Sequence, residues 1–179
     1  IPVLVDAEHS WIQETIDDIA RELMERYNKE KPIVYNTYQL YRHDKLASLK
    51  VDLAYAEKQG FYLGAKIVRG AYMEKERARA EEKGYPSPIC ATKAQTDATF
   101  NKTVSYMVEN LDNNMALFAG THNEDSSYML MDLLNKQQIA HNDKRVWFGQ
   151  LYGMSDNISY NLSNNNYNVA KYLPFGPVY

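Results

Sequence analysis

The chain of 179 residues holds one cysteine, Cys90, so no disulfide can form within it and packing must hold its core. That suits a reducing compartment. No block of like charge occurs: 20 Lys+Arg stand against 23 Asp+Glu, for a net charge of −3. The balance gives no electrostatic argument for a nucleic-acid or polyanionic partner. No run approaches the about 18 apolar residues that a bilayer span requires, which leaves peripheral membrane contact as the open option. Neither an initiator Met nor a positively charged leader precedes Ile1, so the expectation is that a leader was removed or that the chain begins inside a larger protein.

Several cofactor signatures are also missing. Gly149-Gln150-Leu151-Tyr152-Gly153 follows a strand-like run but lacks the third glycine and acidic partner of a dinucleotide fingerprint, and there is no Gly-Lys-Ser/Thr phosphate loop. His122 and His141 are too far apart for a local metal pair, and Cys90 has neither a neighbouring ligand nor an assignable base. No metal site is expected.

What is present is an alternation of short apolar runs and longer helical periods. Strands are expected at Ile1–Val5, Pro32–Thr37, Gly64–Arg69, Met115–Gly120, Val146–Gly149 and Val169–Leu173. Between them, Trp11, Ile12, Ile16, Ile19, Leu23 and Tyr27 mark one helix, and Leu46, Leu49, Leu53 and Ala56 another that ends at Gly60. Glu74–Lys83 reads as a solvated charged helix closed by Gly84, Pro86 and Pro88. Phe100, Val104, Met107, Val108 and Leu111 define a further helix, and Met129, Leu130, Leu133 and Leu134 the last.

This order implies parallel βαβ units, hence a doubly wound sheet or a (β/α)₈ barrel. Polar or functional-looking residues sit at the C-terminal end of every strand: Asp6 and Glu8, Asn36 and Gln39, Arg69 and Tyr72, Thr121-His122-Asn123, Gln150, and Tyr172. A doubly wound sheet focuses its site at one switch point, whereas a barrel draws on most strand ends, so the TIM-like barrel is favoured. Lys66 is a charge inside a strand buried on both faces and calls for a partner or an anion in the barrel lumen. Arg69 falls on the opposite face, where an interhelix ion pair is its ordinary use. Asp6, taken alone, suits a helix cap or a salt bridge as well as catalysis.

The strings Leu4-Val5-Asp6-Ala7-Glu8, Tyr35-Asn36-Thr37-Tyr38-Gln39, Lys66-Ile67-Val68-Arg69-Gly70-Ala71-Tyr72, Thr121-His122-Asn123-Glu124, Phe148-Gly149-Gln150-Leu151-Tyr152-Gly153-Met154 and Lys171-Tyr172-Leu173-Pro174-Phe175-Gly176-Pro177-Val178 resemble, in order and spacing, the signatures of the proline dehydrogenase family, stand-alone type. The resemblance implies an FAD-binding barrel that oxidises L-proline to 1-pyrroline-5-carboxylate and passes electrons to a membrane quinone. It places Asp6 and Lys66 at the catalytic centre, Tyr72, Leu151 and Tyr172 in the proline pocket, and Ala7, Asn36, Arg69, Gly70, Ala71, Lys93, Thr121, His122 and Asn123 at cofactor-contacting positions. Asn36 stands where bifunctional bacterial members have glutamine, and Lys66 with Arg69 reverses their Arg and Lys.

It also implies a mitochondrial inner-membrane location or the bacterial equivalent. The family's carboxylate-binding arginine pair would fall beyond Val178 and a pocket lysine upstream of Ile1. On that alignment the chain covers strands three to eight of eight. A barrel using Lys66 or Lys93 as an amine nucleophile, of aldolase or isomerase type, and a flavin-free, non-catalytic relative remain alternatives.

Overall fold

The computed structural model describes residues 1–176; Pro177 and Val178 of the last string, and the chain end at Tyr179, lie outside the described residues. Its elements are β1 (Val3–Val5), α1 (Ser10–Tyr27), β2 (Val34–Gln39), α2 (Lys45–Gln59), β3 (Leu63–Val68), α3 (Met73–Lys83), α4 (Lys93–Glu109), β4 (Met115–Gly120), α5 (Glu124–Lys136), β5 (Val146–Leu151), α6 (Asp156–Asn164) and β6 (Val169–Tyr172). The strands form one parallel sheet in the order β1-β2-β3-β4-β5-β6. Each strand lies beside its predecessor, as in a barrel wall, with none of the order reversal that defines a doubly wound sheet.

Alternation along the strands divides the sheet into two chemically different faces. Leu63, Ala65 and Ile67 of β3, Met115, Leu117 and Ala119 of β4, and Val146 and Phe148 of β5 are buried. They join Leu49, Leu53, Ala56, Phe100, Val104, Met107, Leu130 and Leu134 of the helices in one apolar cluster. Each large side chain so buried contributes roughly 1.5–3 kcal/mol. On the concave face, Lys66 lies in register with Thr37 and Phe118, and Phe118 with Trp147. Lys66, Phe118 and Trp147 are half-buried there, and Leu4 and Tyr172 exposed.

Two local expectations differ from the structure. The phase of α1 is rotated: its buried positions are Gln13, Ala20 and Met24, whereas Trp11, Ile12, Ile19 and Tyr27 are exposed. A polar network selects this phase. Asp17 accepts hydrogen bonds from Gln13 (2.7 Å) and Asn36 (2.8 Å) and an ion pair from buried Lys45 (2.8 Å), so turning the helix would strand those groups. The second difference is α6, which has too few apolar residues to show a helical period: Ile158 and Leu162, with Ser159, make its buried side. Gly60 does end α2, with φ of 67° and its N–H directed to the carbonyls of Ala56 and Glu57.

Candidate active site

The C-terminal strand ends bring Asp6 and Lys66 together. Lys66 rises from β3, its ammonium hydrogen-bonded to Asp6 Oδ1 just past β1, with the Tyr172 ring centroid 5.8 Å from Nζ. The Lys66 side chain is only 14% exposed and Asp6 49%, so the lysine is sunk in the wall while the carboxylate reaches the open concavity. Small residues keep this floor low. A Cβ at Gly149 would meet the Phe118 ring at 2.2 Å, and one at Gly120 would meet Val68 at 2.9 Å and Lys66 Cε at 3.9 Å.

Two loops rim this side. The β1–α1 loop carries Asp6, Ala7 and Glu8; the β3–α3 loop carries Gly70, Ala71 and Tyr72. Buried Gln39, at the end of β2, bonds both: Nε2 donates to Glu8 O (2.7 Å) and Oε1 accepts from Ala71 N (3.2 Å). Glu76 of α3 is fully buried, and its carboxylate accepts from Ser10 N and Ser10 Oγ, each at 2.6 Å. The charged helix is thus solvated except along Glu76 and Ala80, and the Glu76 carboxylate caps its neighbour α1, whose own N-cap, His9, makes no side-chain capping bond. Gly70 has φ of 136°, and a Cβ there would sit 2.6 Å from the Tyr41 ring. Its requirement therefore arises both from the positive φ and from packing against Tyr41.

The Tyr72 ring packs tilted against His9, centroids 4.2 Å apart, and a hydrogen bond to Glu8 raises its hydroxyl above the ordinary tyrosine range. His9 in turn stacks on Trp11 at 4.3 Å, and its Nδ1 is buried with no partner among the described residues. No periodic signal marks His9 in the sequence.

The remaining positions divide into those that face the mouth and those occupied elsewhere. Arg69 turns outward as strand alternation requires: Nε donates to Asp97 (2.6 Å), Nη1 to Thr121 Oγ1 (2.8 Å) and Nη2 to Ser126 Oγ (3.0 Å). It knits α4 to α5. Asn36 likewise turns to the helix layer and Asp17, while Asn123 caps α5 by accepting from Ser126 N (2.8 Å). Lys93 pairs with Asp97 at 2.6 Å, its side chain 79% exposed. Together Lys93 and then Arg69 hold the Asp97 carboxyl below the usual carboxylate range. His122 is exposed and contacts Ser155 Oγ through Nδ1 at 2.9 Å; partial burial, followed by the charge of Lys171, lowers its pKa. Leu151 is exposed at the end of β5, across from Tyr172. Of the Thr121-His122-Asn123 string, only the histidine ring reaches the rim free of the wall's own hydrogen bonding.

A sequential parallel wall, with a carboxylate–lysine pair at its C-terminal ends, defines a TIM-like α/β fold. Comparison with known proteins makes this specific: the proline dehydrogenase family model matches residues 1–179, and the chain belongs to that family. It is 39% identical over 180 residues to human mitochondrial proline dehydrogenase 1, covering 99% of this chain and 30% of that protein. It is 38% identical over 182 residues to mitochondrial proline dehydrogenase 2 of Arabidopsis thaliana, covering 99% and 38%. The crystal structure of proline utilization A from Bdellovibrio bacteriovorus, inactivated by N-propargylglycine, superposes with a TM-score of 0.90 at 25% identity over 98% of this chain and 18% of that one. The chain therefore spans less than two fifths of the length of these curated relatives.

Proposed function

We propose that this chain supplies six strands of an eight-stranded barrel that oxidises L-proline to 1-pyrroline-5-carboxylate with bound FAD, flanking sequence supplying the remaining strands and the last helix. The reading is carried by the Asp6–Lys66 pair at the floor of the concave face, together with family membership. The residues fit such a cofactor. Gly120 and Gly149 leave room for a flat ring where any side chain would collide with Val68 or Phe118, and Lys66 offers a positive charge beside that room. Lys66 and the backbone around Gly70 and Ala71 would hold the ring, with His122 and Lys93 toward its phosphates. Bound there, the flavin supplies the hydride acceptor.

In this reading the C–H bond beside the secondary amine of proline breaks, both electrons leave with the hydrogen, and a C=N bond forms. The amine must enter neutral, since its lone pair becomes the new π bond. Asp6 sits where negative charge stabilises the positive charge that develops on nitrogen, and the hydrogen bond from Lys66 orients it. Tyr72, Leu151 and Tyr172 border the ring of the substrate and exclude water from it. A membrane quinone takes the electrons by peripheral contact, at the mitochondrial inner membrane or its bacterial counterpart; the mitochondrial part of this reading rests on the names of the relatives.

The absorption spectrum of the protein at its full natural length, taken before and after anaerobic addition of proline, tests the proposal. A yellow chromophore that bleaches is expected. A colourless protein that forms a borohydride-trapped adduct with a carbonyl compound would overturn it in favour of lysine chemistry. Replacing Asp6 by Ala should reduce turnover about 100-fold or more while leaving flavin content near the parent level.

A further inference from the structure

Gln39 lies beneath the mouth, 4% exposed, with each end of its amide on a different rim loop. Its Nε2 donates to the carbonyl of Glu8 at 2.7 Å, and its Oε1 accepts from the N–H of Ala71 at 3.2 Å. No other side-chain type of this shape offers one donor and one acceptor in the same plane: Glu loses the donor when ionised and Leu loses both. We infer that Gln39 is a positioning residue, whose amide sets the height and rotation of the loop bearing Asp6 against the loop bearing Tyr72. The inference deepens the proline-oxidation reading and rests on it for its catalytic half only.

Three further contacts make the two loops a unit that Gln39 ties to the wall. Glu8 N is held by Gln13 Oε1 at 2.7 Å, so the Glu8 peptide is bonded on both sides. Glu76 reaches from the second loop's helix to both polar groups of Ser10. His9 packs, tilted, against the Tyr72 ring. The last two join loop to loop and the first ties the first loop to its own helix, whereas Gln39 joins both loops to the end of strand β2, which is buried along its whole length. The Asp6 carboxylate is bonded by Lys66 and the carbonyl before it by Thr37 Oγ1 at 2.7 Å, so the Gln39 bond to Glu8, two residues on, fixes the other side of Asp6 within the loop. A shift of about 1 Å in a reacting group costs on the order of 100-fold in rate, which gives this restraint its kinetic weight.

The test uses Gln39→Leu and Gln39→Glu in the full-length protein, with hydrogen exchange and steady-state kinetics. Exchange should quicken in peptides covering residues 5–10 and 69–73 of Gln39→Leu and stay unchanged in α4; unchanged exchange in both loops overturns the clamp. For the Leu variant kcat should fall about 10- to 100-fold. In an Asp6→Ala background the same substitution should change kcat by less than about twofold, because the residue acts through Asp6. Equal losses in the two backgrounds would overturn the positioning role. The Glu variant should recover activity as pH falls and its carboxyl regains a donor, and a flat profile counts against the inference even if Gln39→Leu does not fold. If the parent protein fails to oxidise proline while exchange still quickens, the functional reading falls and the clamp stands.

Discussion

The two ends of the sheet use polar side chains differently. At the N-terminal end, Asn28 is fully buried and fully satisfied: Nδ2 donates to the carbonyls of Val34 (2.8 Å) and Tyr62 (2.9 Å), and Oδ1 accepts from the N–H groups of Ile33 (3.0 Å) and Val34 (2.9 Å). Arg145 forks onto Asp143, reaches Asp112 at 2.6 Å and donates to Leu111 O at 3.1 Å, while Asn168 donates to Asp143 O and Val146 O. Polar groups there close the chain's own backbone. At the C-terminal end, His9 Nδ1 and Tyr41 Oη are buried without partners among the described residues, Asp6 and His122 are exposed, and Lys93 reaches into solvent. The exception at the base is Tyr167 Oη, whose ring stacks on His141. A barrel that places its site at one end can close the polar groups of the other end on its own backbone, and Tyr167 apart these residues do so.

The largest effect expected from breaking this division lies at the base. Asn28→Ala removes four hydrogen bonds and leaves two N–H groups and two carbonyls buried, which should lower unfolding free energy by about 3 kcal/mol or more. Denaturant titration would measure it, and turnover per folded molecule should be unchanged. A loss of turnover without loss of stability would make Asn28 part of the site and end the contrast.

A smaller effect is expected at Asp143. The hydrogen bond from Arg145 holds its carboxyl below the usual carboxylate range. A folded-state pKa that is depressed contributes stability that is present above the unfolded value, near 4, and is lost as pH falls through the folded value. Asp143→Asn should therefore cost on the order of 1 kcal/mol at pH 7 and flatten the decline of stability as pH falls below about 4. Thermal melts across that range, with parent and variant side by side, would show whether the two curves converge at the acid end as they must.

How much of this was legible in the sequence follows from the same division. The six strands were readable because buried parallel strands are short apolar runs with clear punctuation, and the sequential barrel order followed from strand-end chemistry at every strand. The apolar side of α4 was readable for a similar reason, since Phe100, Val104, Met107 and Val108 all pack in the core. The phase of α1 was hidden because partners distant in sequence, Asn36 and Lys45, decide it. At the site, alternation correctly separated Lys66 from Arg69. It could not reveal that Asn36 and Asn123 serve the helix layer and a helix cap, because a string motif does not say which way a side chain points once its strand has ended. Gln39 was visible as a polar strand end, but its link to two loops exists only in three dimensions.

The smallest stability effect is expected at Lys93, and it sharpens the contrast most. Its ion pair with Asp97 is largely in water, and Asp97 keeps Arg69 as a second partner at 2.6 Å. Lys93→Gln should then change stability by no more than a few tenths of a kcal/mol. If the ammonium serves the phosphates of a bound flavin, the same substitution should weaken flavin retention severalfold, and the loss should shrink as salt rises and screens the charge. Flavin-to-protein ratio after dialysis at low and high salt reads this directly. Unchanged retention at both would return Lys93 to the company of Arg145, a cation whose work is finished when the chain has folded, and would leave His122 as the rim group toward the phosphates.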